Sequence, residues 1–280
     1  MKPIKFAYFG TPYVARDTLA LVHEHGFIPA VVVTNPDAPR GRGLALTPSE
    51  TKTWALAHGI PVLTPTVLDE KTIAEIQAFG CEYAVVVAYG KIFPESLIQA
   101  FSKGVLNIHY SLLPKYRGAS PVESALLAGD TVTGVAIQKM VREMDAGDIL
   151  ALQEVAIEPY ETAKELKPRL IRAGANLLAD LLPKFERGEI TPMPQDVALV
   201  TRAHKIKKED GFLSDLSRTK SRENWNKYRA YAEWPGVYFF ENNKRIKITK
   251  ARFDPSADEG QFIIERVIPE GKPETNYARE

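Results

Sequence analysis

A single cysteine in 280 residues, Cys81, rules out an internal disulfide framework and fits a reducing compartment. We expect it to be half-buried ahead of a strand. No apolar run approaches the roughly 18 residues that a membrane helix needs. Met1-Lys2-Pro3 leads into a short apolar strand, too brief for a secretion signal and without a small-residue cleavage site. A cytoplasmic protein is therefore expected. Gly10 after the first strand is followed by Thr11-Pro12, so the glycine spacing of a dinucleotide site is missing. Also missing are a phosphate-binding lysine loop, zinc-ligand spacing and a Gly-x-Ser-x-Gly elbow. His23 and His25 flank Glu24 but, two apart on a helix, face different ways and are read as surface residues. The chemistry is expected to work without a metal, a nicotinamide or a nucleophilic serine or cysteine.

What is present begins with charge. The 36 basic and 35 acidic residues nearly cancel, leaving +1. They are unevenly spread, because residues 205–252 hold 13 Lys/Arg against 6 Asp/Glu, a local +7. A basic segment beside near-neutral and acidic ones points to a polyanion partner.

The first half alternates short apolar runs with helical patterns. Runs at 4–9, 28–34, 83–88 and 105–109 show little alternation, as strands buried on both faces should. Helices are expected at 12–25, 49–58, 69–79 and 94–101. This order predicts an α/β domain, Rossmann-like, with a mostly parallel sheet and helices on both faces. A longer helix is expected at 163–187. Thr162-Ala163-Lys164-Glu165 is a capping-box pattern, Pro168 should kink or delay the helix, and Gly188 should end it. The catalytic domain is expected at 1–188 and a linker at 189–205. A small C-terminal domain at 206–280 is expected to hold a helix near 221–232. Strands should follow at 236–240, 244–250 and 261–268, with a hairpin turn at Glu241-Asn242-Asn243-Lys244.

Asn107 and His109 stand two apart on one strand and share a face at its C-terminal end, where open α/β sheets bind ligands. Met144-Asp145-Ala146-Gly147-Asp148 forms a turn after the run 134–140. An amide donor, a switchable acid–base and a carboxylate suit acyl transfer to an amine. The competing reading is a core histidine with an unrelated turn aspartate.

Three stretches carry a family resemblance: Asn107-x-His109, Ser111 to Gly118 continuing into Ala119-Ser120-Pro121, and Asp145-Ala146-Gly147-Asp148. They closely resemble the folate-dependent formyltransferase family. Asn35-Pro36-Asp37-Ala38-Pro39-Arg40-Gly41-Arg42-Gly43 resembles the basic insertion loop of the family branch that formylates initiator methionyl-tRNA. Trp234-Pro235-Gly236 resembles that branch's C-terminal signature.

The resemblance implies 10-formyltetrahydrofolate as co-substrate and initiator methionyl-tRNA as acceptor. It implies Asn107 and protonated His109 as donors to the formyl oxygen, with Asp145 holding the imidazole. The departing amine proton is left open between Asp145, His109 and a water. Tyr89, Gly90, Lys91, Ile92, Ser111, Leu112, Leu113, Pro114 and Met140 are the implied folate contacts. Arg40, Arg42, Lys205, Lys207, Lys208, Lys244, Arg245 and Lys247 are those expected to meet tRNA. A monomer is expected.

The chain departs from the family in two places. Leu44-Ala45-Leu46 stand where further lysines are common, and the C-terminal OB-like barrel is shortened, with no strand expected between 250 and 261. The alternative is a folate-dependent N-formyltransferase acting on an amino sugar or another small amine. That enzyme would need neither the arginine loop nor the basic domain.

Overall fold

The computed structural model describes residues 5–40, 44–257 and 260–277. In chain order the first elements are β1 (Phe6–Gly10), α1 (Tyr13–Glu24), β2 (Val31–Val33), β3 (Ala38–Arg40), β4 (Ala45–Thr47), α2 (Glu50–Ala57), β5 (Val62–Leu63), α3 (Glu70–Gln77) and β6 (Tyr83–Val87). Next come α4 (Glu95–Gln99), β7 (Gly104–His109), β8 (Arg117–Gly118), α5 (Pro121–Ala128), β9 (Val132–Lys139), β10 (Ile149–Ala156) and α6 (Ala163–Glu186). The last are β11 (Arg202–Ala203), α7 (Ser221–Ala230), β12 (Val237–Glu241), β13 (Lys244–Asp254), β14 (Gln261–Pro269) and β15 (Thr275–Asn276). The backbone packs as two compact units. One comprises 1–117, 134–155 and 168–201, and the other 118–133, 156–167 and 202–280. The chain thus enters the second unit through 118–133 and 156–167, well before the expected linker.

The first unit is built on a seven-stranded sheet in the order β10-β9-β7-β6-β1-β2-β5. β5, β2, β1, β6 and β7 run parallel, and β9 joins β7 antiparallel. The apolar strands are buried throughout, which is why they lack polar alternation. Phe9 packs against Tyr89, Phe93 and Phe101 beneath the sheet. The run expected as a strand over 28–34 forms a strand only at Val31–Val33. Pro29 has no N–H for the ladder, and Ile28 is 56% exposed. His25 is exposed as expected, whereas His23 is partly covered by Trp54 and His58.

Helix α6 runs through Pro168 without a break. Lys164, whose carbonyl loses its donor there, is exposed, so water can satisfy it. At the start of α6 the Glu165 carboxylate accepts both the Thr162 N–H, at 2.9 Å, and the Thr162 hydroxyl, at 2.8 Å. Gly188, at φ +71°, follows the last turn. Among the described residues, no helix is long and apolar enough to cross a membrane.

Cys81 is buried rather than half-buried, and burial pushes its thiol up to about 11. The reactive species is the thiolate. At pH 8 a thiol reagent should therefore label native Cys81 at least about a hundredfold more slowly than denatured protein. Comparable rates in a stopped-time labelling assay would contradict the buried placement.

In the second unit a four-stranded antiparallel sheet runs β12-β13-β14-β15. Asn242 and Asn243 both adopt positive φ, 49° and 59°, forming the tight turn between β12 and β13. Strand β13 continues to Asp254, past a register shift near Lys250, into the region where no strand was expected. The bulge interrupts the alternation that a sequence pattern depends on. Trp225 of α7 stacks near Phe253, with ring centroids 6.1 Å apart.

Candidate active site

β7 ends at His109, so its last alternate side chains, Asn107 and His109, project at the C-terminal edge of the parallel strands. The antiparallel partner β9 sets Gln138 directly opposite Asn107, and Ala136 opposite His109. The turn between β9 and β10 brings Asp145 over this pair. Asp145 sits at φ +53°, a left-handed conformation that aspartate tolerates better than most residues. Gly147 keeps the turn tight, since a Cβ there would lie 1.7 Å from the Lys139 carbonyl oxygen.

Three side chains converge on one oxygen of Asp145. Asn107 Nδ2 donates to Oδ1 at 3.3 Å, and Gln138 Nε2 donates to the same oxygen at 2.9 Å. His109 Nδ1 faces it at 3.7 Å, longer than a hydrogen bond, with the side chains only 6% and 12% exposed. The other ring nitrogen, Nε2, lies 2.9 Å from the Tyr116 carbonyl. A carbonyl only accepts, so Nε2 donates there. Both edges of the imidazole therefore face acceptor oxygens.

A second layer holds the turn. Gln195 Nε2 donates to the carbonyls of Asp145, at 2.9 Å, and Gly147, at 2.7 Å. Gln195 Oε1 in turn accepts from buried Arg117 Nε at 3.0 Å. Ile149 and Met193 also exchange backbone hydrogen bonds. The stretch expected as a plain linker thus clamps the Asp145 turn.

Gln138, Gln195 and Arg117 were not among the predicted site residues. Gln138 left one trace, a lone amide in the apolar run 134–140, where a buried polar group needs a partner. Gln195 left none, because it meets the turn only through tertiary packing. Gln138→Leu should lower kcat about tenfold with KM nearly unchanged, since one hydrogen bond to a charged group is lost. Steady-state kinetics showing wild-type kcat would remove Gln138 from the site.

Residues 4–182 match the family described as "Formyl transferase", and residues 205–271 match "Formyl transferase, C-terminal domain". A methionyl-tRNA formyltransferase of Chloroflexus aurantiacus is 41% identical over 89% of this chain and 80% of its own length. That of Bdellovibrio bacteriovorus is 39% identical over 90% and 79%. That of Myxococcus xanthus is 34% identical over 96% and 91%. The chain belongs to the formyl transferase family. Among solved structures, an N-formyltransferase from Helicobacter canadensis, crystallised with folinic acid and dTDP-3-aminofucose, superimposes with a TM-score of 0.70. Its identity is 17%, and the match covers 93% of this chain and 98% of that one. At that identity the likeness concerns the fold.

In this formyl transferase, several residues expected at the folate are committed inside the protein. The Tyr89 ring is buried against Phe9 and Phe93. The Tyr89 carbonyl accepts from Thr11 Oγ1, at 3.2 Å, and Asn35 Nδ2, at 3.1 Å. Lys91 Nζ donates to the Pro65 and Thr66 carbonyls. Ser111 is fully buried and donates to the Lys115 carbonyl at 2.6 Å. Leu113 packs with Ala136 and Ile149. Gly90 and Ile92 are exposed, and Leu112, Pro114 and Met140 are partly so.

The Asn35–Gly43 loop begins as a small hairpin, with Ala38 opposite Thr47, and Lys52 pairs with Asp37 at 2.7 Å. Arg42 and the side chain of Arg40 lie outside the described residues. Lys205, Lys207, Lys208, Lys244, Arg245 and Lys247 are all exposed.

Proposed function

We propose that this formyl transferase moves the formyl group of 10-formyltetrahydrofolate onto the α-amino group of methionine carried by initiator tRNA, as a cytoplasmic monomer. The observation that carries the chemistry is the convergence of Asn107, Gln138 and His109 on Asp145. When the amine attacks the formyl carbon, negative charge develops on the formyl oxygen. Asn107 has two amide hydrogens, and one is spent on Asp145. The second is available to that oxygen. His109 Nδ1 faces the same carboxylate oxygen, 3.7 Å away. Donors fixed in this way typically lower such a barrier by about 3 kcal/mol each.

The acceptor is assigned from relatives 34–41% identical, all methionyl-tRNA formyltransferases by name. The exposed lysines and arginines of the second unit agree with a polyanionic acceptor. A sugar or other small amine is the alternative acceptor. Labelled formyl donor supplied with charged initiator tRNA and, separately, with amino sugars separates the two. Label on methionyl-tRNA is expected. Label on an amino sugar alone would overturn the assignment.

A further inference from the structure

The His109 ring is oriented by two acceptors, and one stretch of chain reaches both. Its Nε2 donates to the Tyr116 carbonyl, and its Nδ1 faces the Asp145 carboxylate. Neither acceptor residue has an ordinary backbone. Tyr116 sits at φ +60° and Asp145 at φ +53°. That left-handed region is costly for a tyrosine and somewhat less so for an aspartate. Such conformations persist only where the surroundings hold them.

Residues 193–201 supply the hold at both places. This strap is pinned at one end by the backbone pair between Met193 and Ile149, both bonds 2.8 Å long. At the other end the Arg117 N–H donates to the Thr201 carbonyl at 2.9 Å. Between the pins lies a 3-10 turn at Val197–Leu199, where Asp196 Oδ1 accepts the Ala198 N–H. Near the first pin, Gln195 Nε2 donates to the carbonyls of Asp145 and Gly147. At the second, Thr201 Oγ1 accepts the Tyr116 N–H at 2.8 Å. Arg117 Nε, donating to Gln195 Oε1, fixes which way that amide points. A flipped amide would set its N–H groups against the guanidinium and its oxygen against two carbonyls.

Each tie acts on the backbone of a residue that the imidazole faces. A shift of about 1 Å at a catalytic group can cost up to about a hundredfold in rate. We propose that the 193–201 strap is a positioning element for His109, with Gln195 setting the Asp145 side of the ring and Thr201 the Tyr116 side. The proposal rests on the catalytic reading of His109 above, and is independent of which amine receives the formyl group. The two ties differ in strength. Gln195 is partly covered and makes three hydrogen bonds, whereas Thr201 is exposed, so water can replace its one side-chain bond.

The test is steady-state kinetics on the full chain with labelled formyl donor, together with NMR of the imidazole nitrogens. Gln195→Glu keeps the side chain's size but turns an acceptor toward two carbonyls. It should lower kcat at least about tenfold with KM nearly unchanged. Thr201→Val should lower kcat about threefold, and Thr201→Ser, which keeps the hydroxyl, should restore it. The His109 ring resonances, assigned by their loss in His109→Ala, should shift in Gln195→Glu and Thr201→Val and return in Thr201→Ser. Placed in the His109→Ala background, either strap substitution should cost little more, because no ring is left to orient. Should Gln195→Glu fail to fold, the two Thr201 variants carry the same readouts. Wild-type kcat in both Gln195→Glu and Thr201→Val, unmoved ring resonances, or losses fully additive with His109→Ala would overturn the proposal. Near-full activity in His109→Ala would instead sink the catalytic reading on which it rests.

Discussion

His109→Ala should cut turnover by a hundredfold or more while the KM for the formyl donor moves little. The imidazole is 6% exposed, with Nε2 anchored on the Tyr116 carbonyl and Nδ1 turned toward Asp145. Its anchoring contact is to backbone, so the ring is held in place before any substrate arrives. On the proposed mechanism, truncation removes both a hydrogen-bond donor and a proton-exchanging group from the site. Each role alone is typically worth about a hundredfold. His109→Gln separates them, because an amide can donate a hydrogen bond but cannot relay a proton. It should recover part of kcat. Near-full activity in His109→Ala, measured with labelled formyl donor, would take the residue out of the mechanism.

Asp145→Asn should cost about a hundred- to a thousandfold in kcat. The substitution keeps the size of the side chain and removes its charge. The remaining carbonyl oxygen can still accept from Asn107 and Gln138, so the turn held by Gln195 should persist. What disappears is the negative charge facing His109 Nδ1. A thermal midpoint within a few degrees of wild type, together with the lost turnover, would assign the effect to charge. A variant that keeps full kcat across the pH range would show that the carboxylate does no more than hold the turn.

The two variants probe different parts of one arrangement, and Gln138→Leu probes a third. If Gln138 acts by positioning Asp145, combining Gln138→Leu with Asp145→Asn should cost little beyond Asp145→Asn alone, as expected for groups acting through a shared partner. Additive losses would give Gln138 a role independent of the carboxylate.

The legibility of this protein in its sequence divides along a physical line. Asn107 and His109 were readable because strand periodicity places residues two apart on one face, and the apolar run around them marks the strand. The turn at Asp145 was readable from Gly147 and its neighbours. The partnership of Gln138 with Asn107 was not, because it depends on an antiparallel register between β7 and β9 that no local pattern encodes. Gln195 and Arg117 were hidden for the same reason, since their 78-residue separation is closed only by tertiary packing. The placement of the Tyr89 side chain was not legible either: its ring lies in the core, because the aromatic cluster around Phe9 takes it.

The amino-acid sequence by itself determined the alternating α/β order, the strand-end amide and imidazole, and the basic C-terminal segment. These follow from periodicity, composition and spacing, which act over a few residues. Only the tertiary structure decided which oxygen the donors share and that the 189–201 stretch clamps the Asp145 turn. Each of those depends on strand register or on packing between distant segments. The free energy that selects a register comes from the whole buried core and not from the residues that benefit from it.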